Sequence, residues 1–407
     1  MNVLSLAVRN LVRNRRRSAL TALAVALGAA ALVFLQGFIE GFISTGIDAS
    51  VLGSVGAVQI QRAGSLGADE PLKLALRETP ELVARITAVP GVAAVAPRLV
   101  FDGMVSNGSE STLFTAVAID PALEYRVCPL RATAVRGAST PLAAGDRGRA
   151  LMGKALATSL GAVRGSSLMM QSSSPGMPGT NALDVEVSGT LSTLDFSESK
   201  HAMTVPLSFA QDLLRMPGRV TGYVASVADL EAVDAVADRL RAALSHEPVA
   251  YQVTTWHDQD VRLAEQIAQA RGIFGFVAAV LFLLIAAGIV NTMHLSVQER
   301  VREIGTMVAL GTRRRQVVQL FLAEAAVLGL VSAGLGASTG WLVVGAIGLR
   351  GVALHPPGGD ALIVRPHIGL SFIAGVVCFA VAGAVVAALR PAFRASRRPP
   401  AEALRAL

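Results

Sequence analysis

The residues best suited to chemistry by type and spacing fall in one short stretch, Asn291 to Gln316, NTMHLSVQERVREIGTMVALGTRRRQ. Glu299, Arg300, Arg302 and Glu303 precede apolar Ile304, Met307, Val308 and Leu310, the pattern of an amphipathic helix, and Gly311 is placed to end it. The chemistry on offer is docking. Such a helix either lies on a membrane surface with its arginines near lipid phosphates or seats its charge pair and apolar ridge in a partner's cleft. Spacing leaves both open. Bond-making chemistry has little support. The chain contains no GxxxxGK[ST] and no HExxH. Its histidines, His201, His246, His257, His294, His355 and His367, have no ligand spacing with cysteine or acidic partners. The nearest polar cluster, His257-Asp-Gln-Asp260, opens a predicted helix, where carboxylates favour the N-terminal dipole; capping is preferred to metal binding there. No metal or catalytic residue is assigned. Cys378 sits in an apolar run and Cys128 in a polar region expected to be exposed, so both read as free thiols.

The elements around that stretch are membrane-length. The chain is 52% hydrophobic and 16% charged over 407 residues, against about a quarter charged for a soluble domain. A bilayer core takes about 20 apolar residues in helix, and four segments qualify: Ser18–Phe38, Ile273–Met293, Val317–Ile347 and Ile368–Leu389. The first could also serve as a signal peptide, but its apolar run is longer than a typical signal core. The third contains Gly336-Ala-Ser-Thr-Gly340, either a close-packing GxxxG or the glycine common in membrane helices. Glu324 lies near one end of that span, where it could reach headgroups or nearby arginines.

The net charge of +7 is concentrated beside these spans, with five arginines in each of 9–17, 300–315 and 390–405. The positive-inside rule puts both termini and the 300–315 loop in the cytoplasm and the region from Ile43 to Arg271 outside. With 5% aromatic residues and no basic face rich in aromatics, nucleic acid is excluded as a partner. The outer region alternates as strands at Ala57–Arg62, Thr112–Ala118, Leu183–Val187 and Tyr251–Thr255, with a turn at Pro90-Gly91 before a strand from Val92 to Val95. Glu231–Leu244 has helical spacing with Glu231, Asp234, Asp238 and Arg239 on the wet side, and Ser172–Thr180 reads as a flexible loop. The expected fold is an α-helical membrane protein with four transmembrane helices and a large mixed α/β extracytoplasmic domain between helices 1 and 2.

The stretch Gln298-Glu-Arg-Val-Arg-Glu-Ile-Gly305 and then Met307-Val-Ala-Leu-Gly311 resembles the cytoplasmic loop of the MacB/FtsX-type permease family of ABC transporters. Leu6–Arg15, Pro90–Pro97, Ile119-Asp-Pro121, Leu151–Gly161, Arg390–Ser396 and Pro400–Arg405 resemble further family segments, in family order. The resemblance implies a non-catalytic membrane subunit of the bacterial cytoplasmic membrane that pairs with a second permease, identical or paralogous. A dimer of separate ATPase chains would bind ATP and Mg, with no cofactor in this chain. Glu299, Arg300, Glu303, Ile304 and Gly305 would be the ATPase contacts. The implied layout is an amphipathic lead-in helix (1–17), first span and stalk (18–42), a porter-like outer domain (43–256) with an inserted subdomain (129–200), and stalk and second span (257–295). A coupling loop (296–316), third span (317–348), outer loop (349–367), fourth span (368–389) and cytoplasmic tail (390–407) follow.

Length, the large outer domain, Leu214-Arg-Met-Pro217 and Val220-Thr-Gly-Tyr-Val224 resemble the lipoprotein-releasing branch, LolC and LolE. That branch implies extraction of lipoproteins from the outer leaflet and transfer to a periplasmic carrier. The 172–181 segment departs from the carrier-recruiting hook of LolC. MacB-like efflux through a tripartite system and FtsX-like control of cell-wall hydrolases are the alternative functions. Phe38, Ile39 and Phe42 on the first span and Phe274, Phe276 and Val277 on the second either line an acyl-chain pocket or face lipid and a partner helix.

Overall fold

A computed structural model describes residues 7, 9, 10, 15–65, 68, 70–133, 135, 136, 140–191, 199–259, 261–299, 312–354 and 362–396. These fall into two compact units, Met1–Ile43 with Ile267–Val352 and Ile363–Leu407, and Ser44–Gln266 with Ala353–Leu362.

The first unit is helical. Helices long and apolar enough to cross a membrane run over Ser18–Val55, Ile267–Asn291, Arg314–Arg350 and Leu370–Arg394, the four expected spans. The third is central: 56% of its apolar window is buried, against 11% for the second. Small residues put it there. A Cβ on Gly336 would strike the Ala26 carbonyl of the first span, and one on Gly340 would lie 2.8 Å from the Ala30 carbonyl. On the other side, a Cβ on Gly329 would come within 3.0 Å of Ala384 in the fourth span. The GxxxG is thus a device for close helix approach, which matters in lipid because hydrophobic burial supplies no preference for one apolar neighbour over another. Glu324 is buried and accepts a hydrogen bond from Asn10 Nδ2 at 2.6 Å. Its carboxylate therefore ties the lead-in segment to the third span.

The second unit is α/β. Its strands are β1 (Val58–Arg62), β2 (Leu76–Arg77), β3 (Val92–Ser106), β4 (Ser111–Ile119), β5 (Val135–Arg136) and β6 (Arg149–Gly153). They continue with β7 (Ser167–Ser173), β8 (Thr180–Leu191), β9 (Ala202–Pro206), β10 (Arg219–Val220), β11 (Gly222–Val227) and β12 (Tyr251–Thr255). The helices are α1 (Pro80–Thr87), α2 (Pro121–Val127), α3 (Pro129–Thr133), α4 (Lys154–Ser159), α5 (Leu207–Leu213), α6 (Val233–Leu244) and α7 (Trp256–Gln259). Ten strands form one sheet in the order β12-β1-β11-β3-β4-β9-β6-β8-β5, with β7 pairing β3 and β8. The long β3 holds it together, pairing β11 through its first half, β4 through its second and β7 at its end. Alternation sends Leu99, Phe101 and Val105 of β3 and Phe114 and Ala116 of β4 into one core with Met152, Leu168 and Met203. The Phe101 and Phe114 rings meet edge to face, 5.7 Å between centroids.

Helix α6 buries Val236, Ala237, Leu240 and Leu244 and exposes Asp234, Asp238 and Arg239, as its spacing predicts. The stretch read as a loop, Ser172–Thr180, is the connection of a hairpin: residues 174–179 form its turn, and at its ends Ser172 pairs Asn181 and Ser173 pairs Thr180. Ser172 Oγ also donates to the Asp102 carbonyl of β3 at 2.7 Å.

Candidate functional site: the root of the first helix

Of the expected ATPase contacts, Glu299 closes the second membrane helix, Val261–Glu299; Arg300, Glu303, Ile304 and Gly305 lie outside the described residues. The aromatic set is divided between two helices. Phe38 stacks on Phe34 of its own helix, 6.3 Å between centroids, and Phe274 lies 6.2 Å from Phe372 of the fourth span. Phe276 is 72% exposed, Phe42 37%, and Ile39 and Val277 are half-buried. Asp258 Oδ2 accepts the Thr255 backbone N–H at 3.0 Å, the capping role expected of this cluster. Among the described residues no group of three or more His, Cys, Asp or Glu could hold a metal.

A cluster that spacing did not reveal lies where the first helix meets the α/β domain. The helix Arg15–Ser50 continues as a π-turn, Val51–Val55, and ends at Gly56, whose N–H donates to the Val51 carbonyl at 2.9 Å. Gly56 has φ +81° and a Cβ there would strike Val224, so glycine is required. A helix end leaves its last carbonyls without partners. Here side chains from β3, α2 and α3 supply them. Arg98 donates to Val55 O at 3.3 Å, and Arg131 donates to Gly53 O at 3.3 Å and to Ser54 O at 3.2 Å. The Cys128 thiol donates to Val51 O at 3.5 Å.

Glu124 organises this cap. It is fully buried, receives Arg98 through Nη2 at 2.5 Å and Nε at 3.1 Å, and lies 3.4 Å from Arg131 Nη1. The local sequence explains its position. Asp120 caps α2 by accepting from Ala122 N at 2.9 Å, and Pro121 at the first helical position needs no donor. One turn later Glu124 points inward and Cys128 ends the helix. Burial pushes the Glu124 carboxyl up, but Arg98 and then Arg131 outweigh it, so its pKa lies below the usual carboxylate value. Arg98 is held above its ordinary value because Glu124 and Cys128 outweigh its own desolvation. Cys128 was expected to be exposed; it is buried, and desolvation raises its thiol despite Arg98 Nη2 at 3.2 Å from Sγ. Two cations and one anion leave net positive charge at the negative end of the helix dipole.

The last strand of the domain lies beside its first. β1 follows the π-turn and pairs β12, which precedes α7, with Val58 opposite Thr255; Trp256 N–H donates to Ala57 O at 3.1 Å. In sequence the domain is inserted between two membrane-length helices, and its first and last strands are paired.

A model of the MacB-like periplasmic core domain matches residues 18–243, and a model of the FtsX-like permease C-terminal matches residues 275–400. The chain belongs to the MacB/FtsX-type permease family. Among similar permeases, an uncharacterized ABC transporter permease of Methanocaldococcus jannaschii is 27% identical over 54% of this chain and 54% of its own length. The ABC transporter permease YknZ of Bacillus subtilis is 33% identical over 38% of this chain and 36% of its own length. The macrolide export ATP-binding/permease protein MacB of Nitrobacter winogradskyi is 29% identical over 55% of this chain and 34% of its own length. The matched regions thus span about half or less of these curated relatives. The periplasmic region of MacB from Actinobacillus actinomycetemcomitans aligns over 51% of this MacB/FtsX-type permease and 92% of that structure, at 11% identity and a TM-score of 0.36.

Proposed function

We propose that this chain is the membrane subunit of an ATP-driven transporter, turning the closure of a separate ATPase pair into movement of its outer domain. The observation that carries the reading is the guanidinium cap on the first helix. Arg98 and Arg131 grip the carbonyls of the last helical turn while Glu124 holds both, and in this reading the end of that helix moves together with the sheet. ATP and Mg belong to the ATPase, and a second permease copy or paralogue completes the membrane part. Glu299, Arg300, Glu303, Ile304 and Gly305 form the ATPase contact. Both termini are cytoplasmic.

The cargo in this reading is a lipoprotein extracted from the outer leaflet, its acyl chains entering beside Phe38, Ile39, Phe42, Phe274, Phe276 and Val277. Phe276, which is largely uncovered, is the residue such a chain would meet first. Export of a small amphiphile is the second reading, favoured by the relative described as a macrolide exporter. Charge reversal at Glu299 and Glu303 separates coupling from insertion: the ATPase is expected to be lost on purification while the permease stays in the membrane. Retained ATPase would sink the coupling assignment. Mass spectrometry of the complex from native membranes separates the cargoes, triacylated proteins indicating release and a periplasmic adaptor with an outer channel indicating export.

A further inference from the structure

The α/β domain carries a second feature, remote in sequence from the helix cap. A groove of about 840 Å³ runs along α1, within the range of small-molecule sites. Its walls are Pro80, Val83 and Ala84 from α1, Pro97 from β3 and Leu123 from α2. At one end stands Glu78, whose backbone N–H donates to Gly218 O at 2.8 Å. Among the described residues its carboxylate has no ion pair. The neighbouring arginines are not in the groove lining; Arg219 is turned to the Ala75 carbonyl at 3.4 Å, and Arg77 stands opposite it in the β2–β10 ladder.

Two further observations describe the charge at that end. Partial burial and then the nearby Asp120 carboxylate raise Glu78 above the usual carboxylate pKa, so the negative charge is poorly compensated. Tyr223 faces Pro97 across the sheet; its ring is buried and its hydroxyl completes no hydrogen bond of normal geometry. Burial, with Glu78 adding to it, pushes that phenol up to about 12. An anionic ligand would bring a third negative charge to Glu78 and Asp120, whereas a single positive charge would be offset by the exposed Glu78 carboxylate at the end of the groove.

We propose that this groove is a recognition site for a monocationic amphiphile, its apolar body against Val83, Ala84 and Leu123 and its ammonium or guanidinium on Glu78. That the ligand is cargo rests on the transporter reading, and specifically on the export of a small amphiphile. That it binds does not, because no ATPase is needed.

The test uses the full chain in phosphatidylcholine nanodiscs with dansylcadaverine, an apolar fluorophore bearing one amine, after subtracting empty discs. Saturable enhancement is expected for the unaltered chain. Glu78→Gln is expected to weaken it about tenfold or more, the loss of one charge-assisted contact, whereas Glu78→Asp keeps most of it. Ala84→Phe, at an exposed position, is expected to fill the groove and abolish binding with the thermal melt unchanged. The anionic probe dansylglycine is expected not to saturate. No saturable signal, equal affinity in Glu78→Gln, or equal binding of dansylglycine would overturn the site. Loss of ATPase co-purification with binding intact would strike only the transporter reading.

Discussion

In the helical unit the third helix is packed through glycines; in the α/β domain a buried cluster is built from charges. Gly336 and Gly340 bring the third helix onto the backbone of the first, against the Ala26 and Ala30 carbonyls. Arg98, Glu124 and Arg131 meet in a space where the Glu124 side chain has no exposed surface. The difference follows from the surroundings. In lipid, apolar groups gain nothing by choosing one another, so shape and close approach decide packing. In a water-solvated domain apolar burial is plentiful, and an ion pair is added at the cost of desolvation in return for direction and position.

The comparison breaks most visibly at Glu124. Glu124→Ala leaves two cations buried, and a loss of about 3–5 kcal/mol is expected, read as a lower melting temperature of the α/β domain in the full chain. Replacing Arg98, Glu124 and Arg131 together by apolar residues of similar volume is expected to recover much of that stability and lose ATPase–domain coupling. Recovery of both would mean that the cap does not transmit movement.

At the glycine contact, Gly336→Leu is expected to cost about 1–3 kcal/mol through overpacking, measured as earlier aggregation on heating in detergent, with the domain's melt unaltered. A smaller effect is expected from Asp120→Ala, which removes the α2 cap for about 1 kcal/mol. It would sharpen the comparison by loosening Glu124 without deleting it.

The mildest perturbation is acid. Because the folded carboxyl of Glu124 titrates below its unfolded value, its contribution is fully present above the ordinary value of 4.5 and is lost as pH falls through the folded pKa. Domain stability from this group is therefore expected to be level from neutral pH down to about 5. In Glu124→Gln the acid-dependent loss at lower pH should shrink, as measured by melting across a pH series.

Spans and strands were legible because each leaves a periodic trace. Tyr251–Thr255 appears with the same bounds in sequence and structure, and Val92–Val95 is the start of the longer β3. The helix cap left no such trace. Arg98 is separated from Glu124 by 26 residues and from Val55 by 43, and partners that distant are joined only by the fold. One local signal was available: Asp120-Pro121 marks a helix start, which places Glu124 one turn in, beside apolar Val127. A carboxylate there demands a buried cation. Cys128 was misplaced for the same reason, since polar neighbours in sequence, Arg126 and Arg131, concealed an interior in which Arg98 and Arg131 meet the buried Glu124. The 172–180 segment was legible from its composition, residues 174–179 forming the turn of a hairpin whose ends are strand.

The pairing of Val58 with Thr255 has one more consequence. It sets the point where the chain enters the sheet beside the point where it leaves, separated by a single ladder rung. A folding unit with adjoining ends can be spliced into a tight turn without stretching its host, and removed again by a short bridge. The α/β domain is therefore a cassette: the same pair of membrane helices could carry a different one, and lineages could exchange what they display outside while leaving the machinery beneath unaltered.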